Sequence, residues 1–367
     1  MMIWGLAMLD LEFRDLSIED TWWVAEFLND AEAARYWEPF PRTEHETREW
    51  IRSRLRSGGR PIVAELDGEP VGHVGVDPEA GRCRHIAEIG IFVRRRYWGR
   101  RVGSALMREA LRVAEQLGCR KVVLNTTEGN ERAMRLYRRF GFKIDAYETD
   151  SLYIDGSWRR EYFMSLQLTP CEPRIDQGPT AHPSGPRRGI RRTDANIRVR
   201  QLMDRDLDEL NRLQNCPESM RSTSRVPPVT AEETRRWYEG LNAYRGRYCF
   251  ACFEDEALLG YLQFRTGRGD FPSPNLWVEE FAVDIHQRPT EAAERLIAAI
   301  KGFRERYGYR RIFIRIPQTA SAIIEVLESH GFNNTGAIEG YCFIDGRYVD
   351  LGFYEYPRRL VVRKWES

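Results

Sequence analysis

The 367-residue chain repeats itself. Arg14 is matched by Arg200, and Thr43-x-x-Glu46-Thr47-Arg48 with Trp50 by Thr230-x-x-Glu233-Thr234-Arg235 with Trp237. Gly72 is matched by Gly260, Val93 by Val283, Leu106 by Leu296, Gly141-Phe142 by Gly331-Phe332, and Ile154-Asp155-Gly156 by Ile344-Asp345-Gly346. The offset drifts only from 186 to 190 residues, so few insertions separate the copies and one fold must serve both. Between them, Pro170, Pro173, Pro179, Pro183 and Pro186 fall among Gly, Arg and Thr with little to bury, which reads as a linker. Its Arg187, Arg188, Arg191 and Arg192 read as a solvated charge run. The expected organisation is a domain over 1–169, a linker over 170–196 and a second domain over 197–367.

Within the first copy, Leu9 to Leu16 reads as a strand, and Ser17 with Asp20 as the capped start of a helix carrying Trp22, Trp23, Phe27 and Leu28. The Thr43-x-x-Glu46 box opens a second helix that Gly58-Gly59 stops. Asp67-Gly68 and Asp155-Gly156 sit between apolar runs and predict hairpins. The central stretch runs from Ile86 to Phe142: a β-branched strand to Val93, a glycine-containing turn, a helix with apolar spacing from Ala105 to Leu117, a strand, and a short helix closed by Gly141. In the turn, Gly99 and Gly103 flank Arg100 and Arg101 where a strand hands over to a helix start. Backbone N–H groups, the helix dipole and arginines can there face one anion, such as a pyrophosphate.

The spacing Val93, Tyr97, Gly99, Gly103, Leu106, then Asn125, Asn130, Ala133, Leu136, Tyr137 and Gly141-Phe142, resembles the acetyl-CoA-binding core of the GNAT N-acetyltransferase superfamily. The family's Arg/Gln-x-x-Gly-x-Gly/Ala loop falls on Trp98 to Gly103, with Trp98 in the first position and Arg101 in place of the middle glycine. The resemblance implies two tandem α/β domains, each a mixed, mostly antiparallel sheet flanked by helices and splayed at its centre. It implies acetyl-CoA as co-substrate, bound by Ile91, Phe92 and Val93 of the fourth strand, by Trp98, Gly99, Arg100, Arg101, Val102, Gly103 and Ser104, and by Asn125 and Asn130. It implies a primary amine of a small molecule or protein as acceptor, direct transfer in the first domain, and Tyr137 as the acid that protonates the leaving thiolate. Where some branches carry a glutamate base this chain has Asn125; Glu88 lies within one residue of the place where other branches carry theirs, so the resemblance implies Glu88 as the base, with Glu38, Glu44, Glu46 and Glu128 in reserve. The segment Arg35-Tyr36-Trp37-Glu38-Pro39-Phe40-Pro41 resembles the acceptor loop of the ribosomal-protein alanine acetyltransferase branch. A longer acyl-CoA or an acyl-carrier donor, and a protein that holds acyl-CoA without turning it over, are the alternatives.

The second copy keeps the apolar pattern and loses the polar set. Gly99 becomes Pro289, Arg101 becomes Glu291, Asn125 becomes Arg315, Asn130 becomes Ala320 and Tyr137 becomes Leu327. Proline has no N–H to offer and a glutamate opposes a pyrophosphate, so this domain is expected to be degenerate.

Composition excludes rival classes. With 56 basic and 55 acidic residues the net charge is +1, which gives no global field for nucleic acid or membrane. The opening MMIWGLAM lacks a basic flank and is short for a signal, and no later run reaches a membrane-spanning length. Seven cysteines, an odd number, suit reduced thiols and the cytoplasm. Cys249-x-x-Cys252 would point to opposite faces of a strand with no second pair at zinc spacing, and the six histidines are isolated, so no metal is expected.

Overall fold

The computed structural model describes residues 10–32, 35–36, 43–56, 58–169, 196–243, 246–268 and 271–357. The chain divides into two compact units, Met1–Pro170 and Cys171–Ser367. The proline- and arginine-rich stretch expected to link the domains lies, save for Thr169 and Asn196 at its ends, outside the described residues.

The first unit runs β1 (Glu12–Asp15), α1 (Thr21–Asn29), α2 (Glu44–Arg56), β2 (Arg60–Leu66), β3 (Glu69–Pro78), β4 (Ile86–Val93), α3 (Val102–Gln116), β5 (Lys121–Thr127), α4 (Glu131–Arg139), β6 (Lys143–Ile154) and β7 (Ser157–Gln167). Its strands lie in the order β1-β2-β3-β4-β5-β7-β6. Only β4 and β5 are parallel, because α3 carries the chain across between them. The hairpins turn where the sequence places them: Asp67 and Gly68 have φ of 53° and 76°, Asp155 and Gly156 of 49° and 77°, the left-handed pair that a two-residue hairpin demands.

Strand alternation divides the apolar residues between two layers. Val74, Val76, Ala87, Ile89, Val122 and Leu124 meet Leu106, Met107, Ala110 and Ala114 of α3. On the other face Val63 and Phe92 meet Trp23, Val24, Phe27 and Leu28 of α1 and Ile51 of α2. The first strand is shorter than expected, pairing only from Glu12↔Glu65 to Asp15↔Ile62. The chain then leaves the sheet because the Ser17 N–H donates to Asp20 Oδ2 at 2.8 Å and closes the capping box. Leu9 lies outside the described residues.

The second unit runs β8 (Ile197–Gln201), α5 (Leu207–Gln214), α6 (Ala231–Ala243), β9 (Arg247–Glu254), β10 (Ala257–Arg268), β11 (Phe271–Val283), α7 (Pro289–Tyr307), β12 (Ile312–Pro317), α8 (Ser321–Ser329), β13 (Asn333–Ile344) and β14 (Arg347–Tyr356). Its order, β8-β9-β10-β11-β12-β14-β13, repeats the first. The repeat extends to single bonds. Arg14 forks onto Asp20 at 2.8 Å, and Arg200 onto Asp206 at 2.6 and 2.7 Å. After β4 the Arg94 N–H donates to Val71 O, and after β11 the Asp284 N–H donates to Leu259 O.

One pair is exchanged. Buried Arg94 donates to Glu26 Oε2 at 2.6 Å, whereas buried Asp284 accepts from Arg212 Nη1 at 3.0 Å. Glu26 and Arg212 are each the sixth residue of their helix, so the charges have swapped ends. A buried charge left alone costs about 3–5 kcal/mol, so divergence had to change both partners.

Candidate active site

Strands β4 and β5 pair only at Ile86↔Lys121, Ala87↔Val122 and Glu88↔Val123. Beyond that rung β4 continues with β3 as far as Gly72↔Val93, while β5 continues with β7 as far as Thr127↔Glu161. The sheet therefore opens into a V with Glu88 at its last closed rung. Because the Arg94 N–H and the Ile86 carbonyl both bond toward β3, alternation turns the N–H and C=O groups of Ile89, Ile91 and Val93 into the opening. Phe92 differs from its neighbours: its backbone groups face β3, and its ring stacks on Phe27 at 4.0 Å, so it supports the strand from behind. The Val93 carbonyl is already taken, at 2.8 Å, by the Trp98 indole N–H, and the Arg132 guanidinium lies 3.7 Å over that ring.

From the end of β4 the chain enters α3 through Gly99, at φ 76°, and Arg101, at φ 66°. Both Ser104 N–H and Ala105 N–H return to Arg101 O, which leaves the Val102 and Gly103 N–H groups at the open end of the helix. Gly103 sits in the first turn of α3, where a Cβ would come within 3.3 Å of Leu136 Cδ2 on α4, so its smallness lets the two helices approach. Ser104 Oγ accepts a hydrogen bond from Arg139. A cavity of about 490 Å3 lies along this end of α3, lined by Leu11, Arg100, Arg101, Ser104, Arg108 and Arg139, among others. Arg100 and Arg101 at the helix N-terminus, with Arg108 further along α3 and Arg139 at the end of α4, suit a polyanion. Arg108 and Arg139 escaped the sequence reading because they lie outside the glycine loop; their helical spacing from Ser104 and from Gly103's neighbour Leu136 was the available signal.

The opposite face of the sheet, under α1 and α2, carries Glu88 directly across from Asp77, and Gly90 directly across from Gly75. A Cβ on Gly90 would meet nothing within 4 Å, and one on Gly75 would approach Asp77 Oδ2 at 3.3 Å and His73 Nε2 at 3.8 Å. The two glycines thus make a hollow floor edged by carboxylates and an imidazole. Arg54 holds Asp77 at 2.5 Å. His73 is buried among Phe92 and Trp50, and burial pushes its pKa down to about 3, so the ring is neutral. Glu88 is exposed.

The remaining sequence candidates separate. Asn125 turns to this second face and donates to Glu161 Oε1 at 2.9 Å, and Ser151 donates to Glu161 Oε2 at 3.3 Å. Asn130 caps α4, its Oδ1 accepting the Ala133 N–H at 3.3 Å. Tyr137 lies in the α3-side core, where burial raises its phenol pKa. Of the reserve carboxylates, Glu46 closes the Thr43 capping box, Glu128 accepts the Arg160 N–H at 3.2 Å, and Glu44 pairs with Arg48 on the surface. Glu38 and the rest of Trp37 to Pro41 lie outside the described residues, while Tyr36 donates from its hydroxyl to Gly129 O at 2.9 Å.

The second unit fills the equivalent places. Offsets of 190 hold at Leu296 and at Gly308, but α7 begins at Pro289, so the residues matching Gly99, Arg100 and Arg101 form an extra helical turn instead of a loop. Glu291 in that turn bonds Arg288 at 3.3 Å. The rung that matches Gly75 and Gly90 is Gln263↔Glu280, with Arg225 on Glu280 at 2.6 Å. Cys249 and Cys252 do face opposite ways, one packing with Leu210 and Tyr261 and the other with Leu296 and Ile297. Burial pushes both thiols up, Cys252 to about 11.

Residues 22–142 match the acetyltransferase (GNAT) family, and residues 199–352 match a GNAT acetyltransferase domain. An L-amino acid N-acetyltransferase of Escherichia coli K12 is 32% identical over 112 residues, which is 30% of this chain and 69% of that protein. The spermidine N(1)-acetyltransferase of the same organism is 26% identical over 159 residues, 42% of this chain and 85% of that protein. Among solved structures, a ribosomal-protein-alanine N-acetyltransferase from Brucella melitensis is 23% identical with a TM-score of 0.40, covering 43% of this chain and 99% of that one. The chain belongs to the GNAT acetyltransferase family, with two GNAT domains in tandem. It is an N-acetyltransferase.

Proposed function

We propose that the first domain transfers acetyl directly from acetyl-CoA to a primary amine. The observation that carries this is the open V between β4 and β5, with Glu88 at its apex and the arginine-lined cavity at the adjoining end of α3. The coenzyme's diphosphate meets the Val102 and Gly103 N–H groups and Arg100 and Arg101. Its nucleotide phosphate lies among Arg108 and Arg139, and its pantetheine arm follows Ile89 and Ile91 into the V. The acetyl group then sits above Gly90, between the donor's face and the acceptor's.

An amine of pKa near 10 is neutral in about one molecule in a thousand at pH 7, so the acceptor needs a base. Glu88, one rung from the glycine floor, takes the ammonium proton, directly or through one water. The nitrogen lone pair attacks the thioester carbonyl carbon, and a β4 backbone N–H in the V stabilises the oxyanion. Collapse breaks the carbon–sulfur bond, the amine nitrogen gives up its second proton to solvent, and the Tyr137 hydroxyl protonates the departing thiolate; Glu88 then releases the first proton to solvent and Tyr137 takes one back, so that one proton is released overall. Raised by burial, that phenol stays protonated until the thiolate forms. The Glu88 carboxylate favours a cationic amine, Asp77 across from it being held by Arg54. The substrates for which those two relatives are named, an L-amino acid and spermidine, belong to the same class. The test is release of free thiol from acetyl-CoA across a panel of amino acids, polyamines and peptide amines. Turnover with at least one primary amine, lost in Glu88→Gln, is expected; coenzyme binding with no turnover on any amine would reject the reading.

A further inference from the structure

In the second unit, Cys216 Sγ, a Glu218 carboxylate oxygen and a His286 ring nitrogen all lie within 4.8 Å of one another. Cys216 and Glu218 follow α5, and His286 follows β11, so three donors of three kinds meet from chain segments about seventy residues apart. The sulfur stands 3.7 Å from Glu218 Oε2. Around a tetrahedral zinc ion with bonds of about 2.0–2.3 Å, neighbouring donor atoms stand about 3.3–3.8 Å apart. The Cys216–Glu218 spacing is already there, and rotation of the exposed His286 side chain closes the rest.

The surroundings hold these donors in place. The Ser219 hydroxyl donates to Cys216 Sγ at 3.2 Å and accepts the Ile285 N–H at 3.2 Å. Asp284 Oδ1 accepts the His286 N–H at 3.0 Å, and Asp284 is itself gripped by Arg212. One hydroxyl and one carboxylate therefore orient a thiol and fix the loop that carries the imidazole, the part that outer partners play around bound metals. The first unit offers no such set. By the offsets that align the helices and the strands, its residues at these positions are Asp30, Glu32 and Arg96, and an arginine cannot ligate a cation.

We propose that Cys216, Glu218 and His286 bind one divalent thiophilic cation, zinc by its preference for this donor set, with the fourth position left to water. Against the expectation from sequence that the chain uses no metal, the ion has a structural place. The turn Ser219–Ser222 ties together the ends of β11 and β12, through Ser219 to Ile285 after β11 and through Arg221 O to Thr319 after β12. A metal at Cys216 and His286 pins that turn where, in the first unit, the coenzyme loop begins.

The test uses the full chain, stripped with chelator and titrated with Co2+ in place of zinc. One equivalent of Co2+ should bind with a near-ultraviolet thiolate-to-cobalt charge-transfer band, which zinc abolishes. Cys216→Ser should lose the band. His286→Ala, at an exposed position where folding is not at stake, should weaken binding at least about ten-fold, as should Ser219→Ala through the sulfur. The double variant Cys249→Ser/Cys252→Ser should keep the band. Absence of a charge-transfer band at stoichiometric cobalt, or an undiminished band in both Cys216→Ser and His286→Ala, overturns the site.

Discussion

Glu88 stands on the last rung that β4 shares with β5, which makes it the one carboxylate whose position is set by where the sheet opens. Glu88→Gln is expected to lower kcat/KM for the amine by about 10²–10⁴ while coenzyme affinity holds, and raising the pH should recover part of the loss by deprotonating the amine without enzyme help. Tyr137→Phe keeps the ring volume in the core and removes only the proton donor. It is expected to lower turnover by about ten-fold or more, with the melting temperature little changed. His73 makes a different prediction, on stability. Burial lowers its pKa from 6.5 to about 3, so between those values the unfolded chain binds a proton that the folded chain refuses. Folding stability therefore falls as pH drops from about 6.5 toward 3, by up to about 1.4 kcal/mol per pH unit from this residue. Denaturant melts of His73→Phe should show a shallower acid limb; an identical limb would remove His73 as its source. Residue types were legible in the sequence at Gly99, Arg101 and Asn130, because a turn and a cap leave local marks. Which way the backbone of Phe92 turns was not legible, because a strand's spacing does not say which backbone groups already serve a neighbour. The donors Cys216 and His286 were invisible because their meeting is purely tertiary.

At the scale of elements, two glycines of neighbouring strands do opposite work. A Cβ at Gly72 of β3 would strike Phe92 O at 2.8 Å and Leu106 Cδ1 at 2.9 Å, and one at its counterpart Gly260 would strike Ala282 O at 2.8 Å, so that glycine is a packing requirement in both units. A Cβ at Gly90 would meet nothing, and its counterpart is Glu280. Gly90→Val is thus expected to leave the melting temperature and coenzyme affinity near wild type while raising the acceptor KM at least about ten-fold, since its branches enter the hollow floor. Steady-state kinetics with the amine varied at saturating acetyl-CoA checks this. An unchanged KM would move the acceptor off that floor. Periodicity gave β4 at its observed bounds and α3 to within three residues at its start and one at its end, because one face of each is apolar. The V itself was beyond local pattern. Ile89 to Val93 look no different in sequence from the rungs that pair, and only the resemblance to a family suggested that they part.

At the scale of the whole molecule, a duplicated chain kept one fold in both copies while the polar residues of the glycine loop changed in the second. The duplication was legible because hairpin turns and capping boxes repeat residue for residue, and the copies part at Pro289 and Glu291. The structure adds the means. With β11 and α7 joined by a shorter loop, the residues that match the coenzyme loop became a helical turn, and the Glu291 carboxylate took up Arg288. The extra turn opens on a proline, which has no N–H to offer, and the charge there has changed sign. The full chain should therefore bind one acetyl-CoA, and calorimetric titration should return a stoichiometry near one. Arg101→Glu places in the first unit the residue that the second carries at that position. Arg101 is exposed and ends no packed contact, so the variant should fold, while a like charge beside the diphosphate should weaken coenzyme binding by about ten-fold or more at low salt and by less at high salt. A second binding event of similar affinity, surviving in Arg101→Glu, would show that the extra turn of α7 does not close the second copy to coenzyme.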